Sequence, residues 1–161
     1  MACVAPTGLP MDGGLLVTGR SRRALLVLAA LAVVLGAVAL IKARDVGFTD
    51  ANPASVDPGA MLFGTDDDLP WGKLLEFNPL GALVTLGFGA LALVGGWLRI
   101  RWLVLVAAVG FGACAMQVLV QFGRDANVLG GRGGNLGVFL ALSVGLAVLA
   151  LTPVVDEDRR S

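Results

Sequence analysis

The sequence contains no histidine, no tyrosine and only two cysteines among its 161 residues. Histidine is the most common general base and a frequent metal ligand, so its absence removes the usual basis of a catalytic or metal centre. Cys3 lies near the start of the chain, Cys114 lies inside an apolar run, and no C-x-x-C occurs. This spacing excludes a disulfide framework and gives no zinc or redox motif. We therefore expect no enzyme activity, no cofactor and no metal.

Charged residues are also scarce. They make up 15% of the chain, whereas about a quarter of an average soluble domain is charged. Twelve Lys and Arg balance twelve Asp and Glu, so no basic field indicates a nucleic-acid partner. In contrast, 57% of the residues are hydrophobic and the mean hydropathy is +0.84. So short a chain cannot bury that much apolar surface in a water-soluble core, and membrane lipid is its expected surrounding.

Four apolar windows without charged residues cover 24–41, 79–98, 102–121 and 134–154. Each is close to the about 20 residues that cross roughly 30 Å of hydrocarbon. Because lipid offers the backbone no hydrogen-bond partner, these windows are predicted to be helices. The predicted fold is an all-α membrane protein, with four transmembrane helices (24–154) in an antiparallel bundle, a disordered leader (1–23), an outer loop (42–78) and a tail (155–161).

The distribution of Lys and Arg predicts the orientation, because these residues favour the cytoplasmic side of short loops. One predicted side holds Arg20, Arg22, Arg23, Arg99, Arg101, Arg159 and Arg160, and the other holds Lys42, Arg44, Lys73, Arg124 and Arg132. The excess on the first side predicts that both termini are cytoplasmic and that the protein is a multi-pass plasma-membrane protein.

The first window also has an alternative interpretation as a cleavable signal peptide. Arginines precede it, and 37–39 (Ala-Val-Ala) is similar to a cleavage site. Its apolar run is longer than the roughly 7–15 residues typical of a signal peptide, which favours an uncleaved anchor.

The three tryptophans lie at predicted window boundaries. Trp71 precedes the second window, and Trp97 and Trp102 flank the short link between the second and third. Amphipathic indole rings concentrate at the membrane–water interface, so all three are predicted interfacial anchors.

A short interfacial helix is predicted just before the second window. Trp71, Leu74, Leu75 and Asn78 have helical spacing, after the acidic run 66–68. The alternative, a calcium site on these aspartates, lacks the D-x-D-x-D-G pattern and its closing glutamate.

Stripes of small residues are predicted to bring the helices together, as in many membrane proteins. The stripes are Ala29, Ala32, Gly36 and Ala39 in the first window, Gly81, Thr85, Gly89, Ala92 and Gly96 in the second, and Gly133, Gly137, Ala141 and Gly145 in the fourth.

The third window carries the one polar line within the predicted membrane. It consists of Gly110, Cys114, Gln117 and Gln121, and Arg124 extends it into the following loop. We expect this line to contact the rest of the bundle or another membrane protein, since glutamine amides bond across helix interfaces. The alternative is the lining of a small-solute path or a quinone-type headgroup pocket. No ionisable Asp, Glu, Lys, Arg or His lies in the windows, which argues against ion-coupled transport.

The function expected from these features is that of a non-enzymatic accessory or scaffold subunit, with other integral membrane proteins as partners. The composition, rich in Arg, Ala, Gly, Val and Leu, favours a bacterial origin. Because the sequence provides features for packing and anchoring but none for chemistry, we expect the chain to belong to a larger plasma-membrane complex of a respiratory or envelope-building kind. Two alternatives stay open. One is a small self-associating channel or uncoupled permease lined by the third window, and the other is an enzyme using Asp66 or Asp125 with Arg124 or Arg132.

Overall fold

In a computed structural model of the protein, the described residues are 19–43, 60–63, 75–121, 128–129 and 133–152. These residues form four α-helices, α1 (Gly19–Lys42), α2 (Pro79–Leu98), α3 (Arg101–Gln121) and α4 (Gly133–Leu151), and two short strands, β1 (Ala60–Phe63) and β2 (Leu75–Phe77). All four helices are long and apolar enough to cross a membrane. The prediction of four such helices is therefore confirmed.

The helix α1 begins before its apolar window. Residues 19–23, which the sequence assigned to a disordered leader, belong to the helix, while 1–18 lie outside the described residues. The Arg22 guanidinium gives this first turn a tertiary contact, because its Nε and Nη2 donate to the carbonyl oxygens of Gly96 and Trp97 at 3.4 and 3.3 Å.

The small-residue stripes of α1 and α2 meet each other. A Cβ on Gly36 would lie 2.5 Å from the Leu86 backbone nitrogen, and one on Gly89 would lie 2.9 Å from the Val33 nitrogen. The backbones of the two helices therefore approach where only glycine fits. Every member of the two predicted stripes is buried, which confirms this part of the prediction.

The predicted stripe on α4 is wrong at Gly137 and Ala141, whereas Gly145 is half-buried beside Leu28 of α1. Gly137 has open space where a Cβ would stand, and Ala141 is exposed. The buried positions of α4 are instead Asn135, Phe139, Leu142, Leu146 and Ala150. The physical reason is the ring of Phe139, which stacks on Phe111 at a centroid distance of 6.2 Å and meets Phe77 edge-on at 6.1 Å. Large side chains, rather than close backbones, join α4 to the core.

Two residues connect α2 to α3. Arg99 adopts the left-handed conformation with φ 59° and ψ 27°, and its backbone N–H donates to the Gly95 oxygen. The Ile100 nitrogen donates to the same oxygen at 2.8 Å. This turn satisfies carbonyl groups at the end of α2 and reverses the chain within a few residues.

The predicted interfacial helix does not extend to Phe77. Strand β2 pairs antiparallel with β1, with Ala60 opposite Phe77 and Met61 opposite Glu76, while 66–74 lie outside the described residues. Asn78 is extended, with φ −86° and ψ 168°, as expected for a residue before proline. The extended backbone also lets Phe77 reach Phe139 in the core.

Candidate functional site

The predicted polar line of α3 runs along the edge of the buried face of this helix, and its members have different surroundings. A Cβ on Gly110 would lie 2.5 Å from the Phe88 ring, so Gly110 packs directly against α2. Cys114 is a free thiol with 7% of its surface exposed. The Gln121 Oε1 accepts a hydrogen bond from the Val128 backbone nitrogen at 3.0 Å. Arg124 lies outside the described residues.

Gln117 differs from the rest of this line because its side chain is exposed. The side chain of Gln117 makes no hydrogen bond to the described part of the chain. Four residues separate it from the end of α3 at Gln121, which places it about 6 Å along the axis from that end. A carboxamide that faces hydrocarbon without a partner is costly, so Gln117 requires an acceptor or donor from outside this bundle or from the headgroup region.

Around Gln117, α3 presents a regular outward face. Its members are exposed and follow alternating steps of four and three residues; they are Trp102, Val106, Val109, Ala113, Met116 and Val120. This spacing is that of the seam along which two helices pack side by side. We call these six residues and Gln117 the α3 outward face.

A buried polar cluster near the start of α2 was not predicted as a site. Asn78 is fully buried. Its Oδ1 accepts from the Gly81 nitrogen at 2.7 Å, and its Nδ2 donates to the Val128 oxygen at 2.6 Å. Thr85 is also fully buried and donates to the Gly81 oxygen at 2.7 Å. Both side chains thus form hydrogen bonds with backbone groups of Gly81 or Val128. Buried polar groups with such partners are typical of a structural cluster rather than of a ligand site.

The sequence signal for this cluster is the pair Asn78 and Pro79. Asparagine is a preferred N-cap residue, and proline is preferred in the first helical turn. The bond from Asn78 to Val128 joins residues 50 positions apart, and no local pattern indicates it.

The opposite end of α2 is cationic and aromatic. Arg22 contacts this end through Gly96 and Trp97, and Arg99 and Arg101 follow in the link and the first turn of α3. Trp97 and Trp102 are 70% and 66% exposed, while Trp71 lies outside the described residues. Two of the three predicted anchors thus flank one link.

The described part of the chain contains no group of three or more His, Cys, Asp or Glu side chains able to hold a metal ion. The residues of the enzymatic alternative, Asp66, Asp125, Arg124 and Arg132, all lie outside the described residues.

We found no match to this chain among protein-family models, curated proteins or solved structures.

Proposed function

We propose that the protein is a non-enzymatic accessory or scaffold subunit of a larger bacterial plasma-membrane complex, of a respiratory or envelope-building kind. The observation that carries this proposal is the exposed amide of Gln117 on the α3 outward face. The exposed face of α1 (Val27, Leu31, Val34, Val38 and Ile41) has the same four-and-three spacing but carries no amide. A partner helix from another integral membrane protein would fill the seam and bond to that amide.

The energetics of membranes favour this interpretation of the face. Apolar side chains gain little from leaving lipid for another helix, so helix pairs form through close packing and hydrogen bonds across the interface. One such bond contributes about 0.6 kcal/mol on average and up to about 1.7 kcal/mol. The regular spacing of the face provides the packing, and Gln117 provides the bond.

The proposed arrangement is an antiparallel bundle with both termini in the cytoplasm. Close contacts pair Gly36 with Leu86 and Gly96 with Leu25, so the residue numbers rise along α1 as they fall along α2, which supports the antiparallel packing. The excess of arginine near the N-terminus, in the α2–α3 link and in the tail supports the orientation.

Site-specific photo-crosslinking in intact cells tests the proposal. A photoreactive amino acid replaces Val109, which is 71% exposed on the α3 outward face, or Val34, which is 57% exposed on α1 and serves as the matched control. We expect a discrete adduct with a second membrane protein at Val109 and little adduct at Val34. Equal adducts at both positions, or none at Val109, would contradict the proposal.

A second candidate function is a small self-associating channel or uncoupled permease lined by α3. The exposed amide of Gln117 favours it, since the other described members of the polar line pack within the chain and, among these four residues, Gln117 alone could reach a path between copies. This candidate predicts that the Val109 adduct has twice the mass of this chain. It also predicts that Gln117→Leu abolishes solute flux into liposomes, whereas Val120→Leu on the same face preserves it.

A further inference from the structure

Several arginines lie where α1 begins and α2 passes into α3, among them Arg22, Arg23, Arg99 and Arg101. Among the described residues, the one carboxylic acid is Glu76 in β2, which precedes α2 and so lies at the other end of that helix. We call Arg22, Arg99 and Arg101 the arginine end, because Arg22 contacts the last turn of α2 and the other two lie in the link and at the start of α3. Positive charge at the arginine end is therefore not balanced by any described acid.

The guanidinium groups of Arg22 and Arg101 both have N–H donors that the described part of the chain does not use. Arg22 uses its Nε and Nη2 on the carbonyl oxygens of Gly96 and Trp97, and a guanidinium has five N–H donors. The Nε of Arg101 is buried and has no acceptor in the described part of the chain. A buried donor without an acceptor is costly. The Arg101 side chain as a whole is partly exposed, so its terminal N–H groups can donate to an oxygen-rich anion beside the link.

The first turn of α3 adds further donors at the same place. This 21-residue helix begins at Arg101, has no acidic residue in its first turn, and follows Ile100, whose side chain cannot accept a hydrogen bond. The free N–H groups of that turn and the positive end of the helix dipole favour an anion there.

Two tryptophans indicate the depth at which this anion would lie. Trp97 and Trp102 flank the link, and most of each ring is exposed. Such rings lie at the level of lipid headgroups and can donate an indole N–H to headgroup oxygens. The arginine end is thus placed among the phosphates of the bilayer rather than in its hydrocarbon or in bulk water.

We propose that the arginine end is a binding site for one anionic phospholipid, whose phosphate accepts hydrogen bonds from Arg22, Arg101 and the first turn of α3. The fixed guanidinium of Arg22 and the fork geometry of arginine suit a phosphate oxygen pair. The acyl chains lie against the apolar sides of α2 and α3. The site adjoins the α3 outward face at Trp102, but neither of its proposed side-chain donors, Arg22 and Arg101, belongs to that face.

Native mass spectrometry of the full chain, released from detergent with graded amounts of lipid, tests this proposal. We expect saturable binding of one phosphatidylglycerol in preference to phosphatidylcholine. Arg22→Gln and Arg101→Gln should each weaken this binding about fivefold, which is the effect of losing one cation near an anionic surface. Arg101→Lys keeps the charge but not the fork, so its binding should fall between those of the parent and Arg101→Gln.

Two controls remove the same charge without touching the link. Arg23→Gln changes an exposed neighbour of Arg22, and Lys42→Gln changes an exposed cation at the far end of α1. Both should bind phosphatidylglycerol as the parent protein does. A loss in Arg23→Gln equal to that in Arg22→Gln would overturn the site in favour of general attraction between charges.

Two further outcomes would also overturn the proposal. Equal binding of both lipids would show that the site does not distinguish the anionic headgroup of phosphatidylglycerol from the zwitterionic headgroup of phosphatidylcholine. Displacement of the lipid by millimolar inorganic phosphate would identify a site for the free anion instead. Thermal unfolding in detergent is measured for each variant, and if Arg22→Gln unfolds, Arg101→Gln decides the outcome.

Discussion

Asn78 connects two parts of the chain through one side chain. Its oxygen caps α2 at Gly81, and its nitrogen holds the Val128 carbonyl, while the side chain itself is fully buried. The capping bond to Gly81 could be predicted from the Asn78–Pro79 pair. The bond to Val128 could not, because a contact between residues 50 positions apart depends on how the helices pack.

Asn78→Ala should lower the free energy of unfolding by about 2–3 kcal/mol, from a lost cap worth roughly 1 kcal/mol and an unpaired carbonyl costing about 1–3 kcal/mol. Asn78→Ser keeps the capping oxygen but cannot reach Val128, so its loss should be smaller. Unfolding by SDS in mixed micelles measures both. A change below about 0.5 kcal/mol in Asn78→Ala, typical of uninvolved surface positions, would contradict the assigned role.

At the scale of helices, a stripe of small residues predicts the packed face only when no other face of the same helix packs through large side chains instead. On α1 and α2 the small residues are the buried ones, and backbones meet at Gly36 and Gly89. On α4 the same spacing failed because Phe139 and the leucines of another face fill the space beside Phe111. The spacing of small residues alone does not indicate which face of a helix meets a neighbouring helix of complementary shape.

A matched pair of glycine substitutions tests this difference. Gly36→Ala places a methyl group against the Leu86 backbone and should destabilise the bundle by about 1–3 kcal/mol, as overpacking does. Gly137→Ala enters open space and should be neutral or stabilise α4 by up to about 1 kcal/mol through helix propensity. SDS unfolding compares the two, and an equal loss in both variants would show that the α1–α2 contact is not close.

The strand β2 shows a second limit of local reasoning. The helical spacing of Trp71, Leu74, Leu75 and Asn78 predicted a helix, yet Leu75–Phe77 is extended. The proline at 79 forces the preceding residue out of the helical region, and the buried ring of Phe77 contacts Phe139 on a distant helix. Tertiary contact and the proline together outweigh the weak helical periodicity.

Phe139→Ala should be the most destabilising single change on α4. It removes the stacking on Phe111 and the edge contact with Phe77, and burial losses of this kind cost about 3–5 kcal/mol in water-soluble cores. The cost should be lower here, because the unfolded helix stays in lipid. Val144→Ala, at an exposed position of the same helix, is the control. Equal unfolding midpoints for these two variants would contradict the aromatic core.

At the scale of the whole molecule, its two ends differ in chemistry. One end carries arginines and exposed tryptophans, and the other carries the Asn78 cluster, the small sheet and Lys42. Apolar composition and window length were sufficient to predict four spanning helices, because both follow from the thickness of the bilayer. The sites depend on which faces stay exposed, and that property is set by packing rather than by composition.

The central claim is that α1 to α4 cross a membrane with the α2–α3 link in the cytoplasm. Single-cysteine variants Lys42→Cys, Ile100→Cys and Val109→Cys, made after Cys3→Ser and Cys114→Ala, test it with a membrane-impermeant maleimide. In intact cells we expect labelling at position 42 alone; after permeabilisation, position 100 should also react and position 109 should stay protected. Labelling of position 109 from water, or of position 100 in intact cells, would contradict the account.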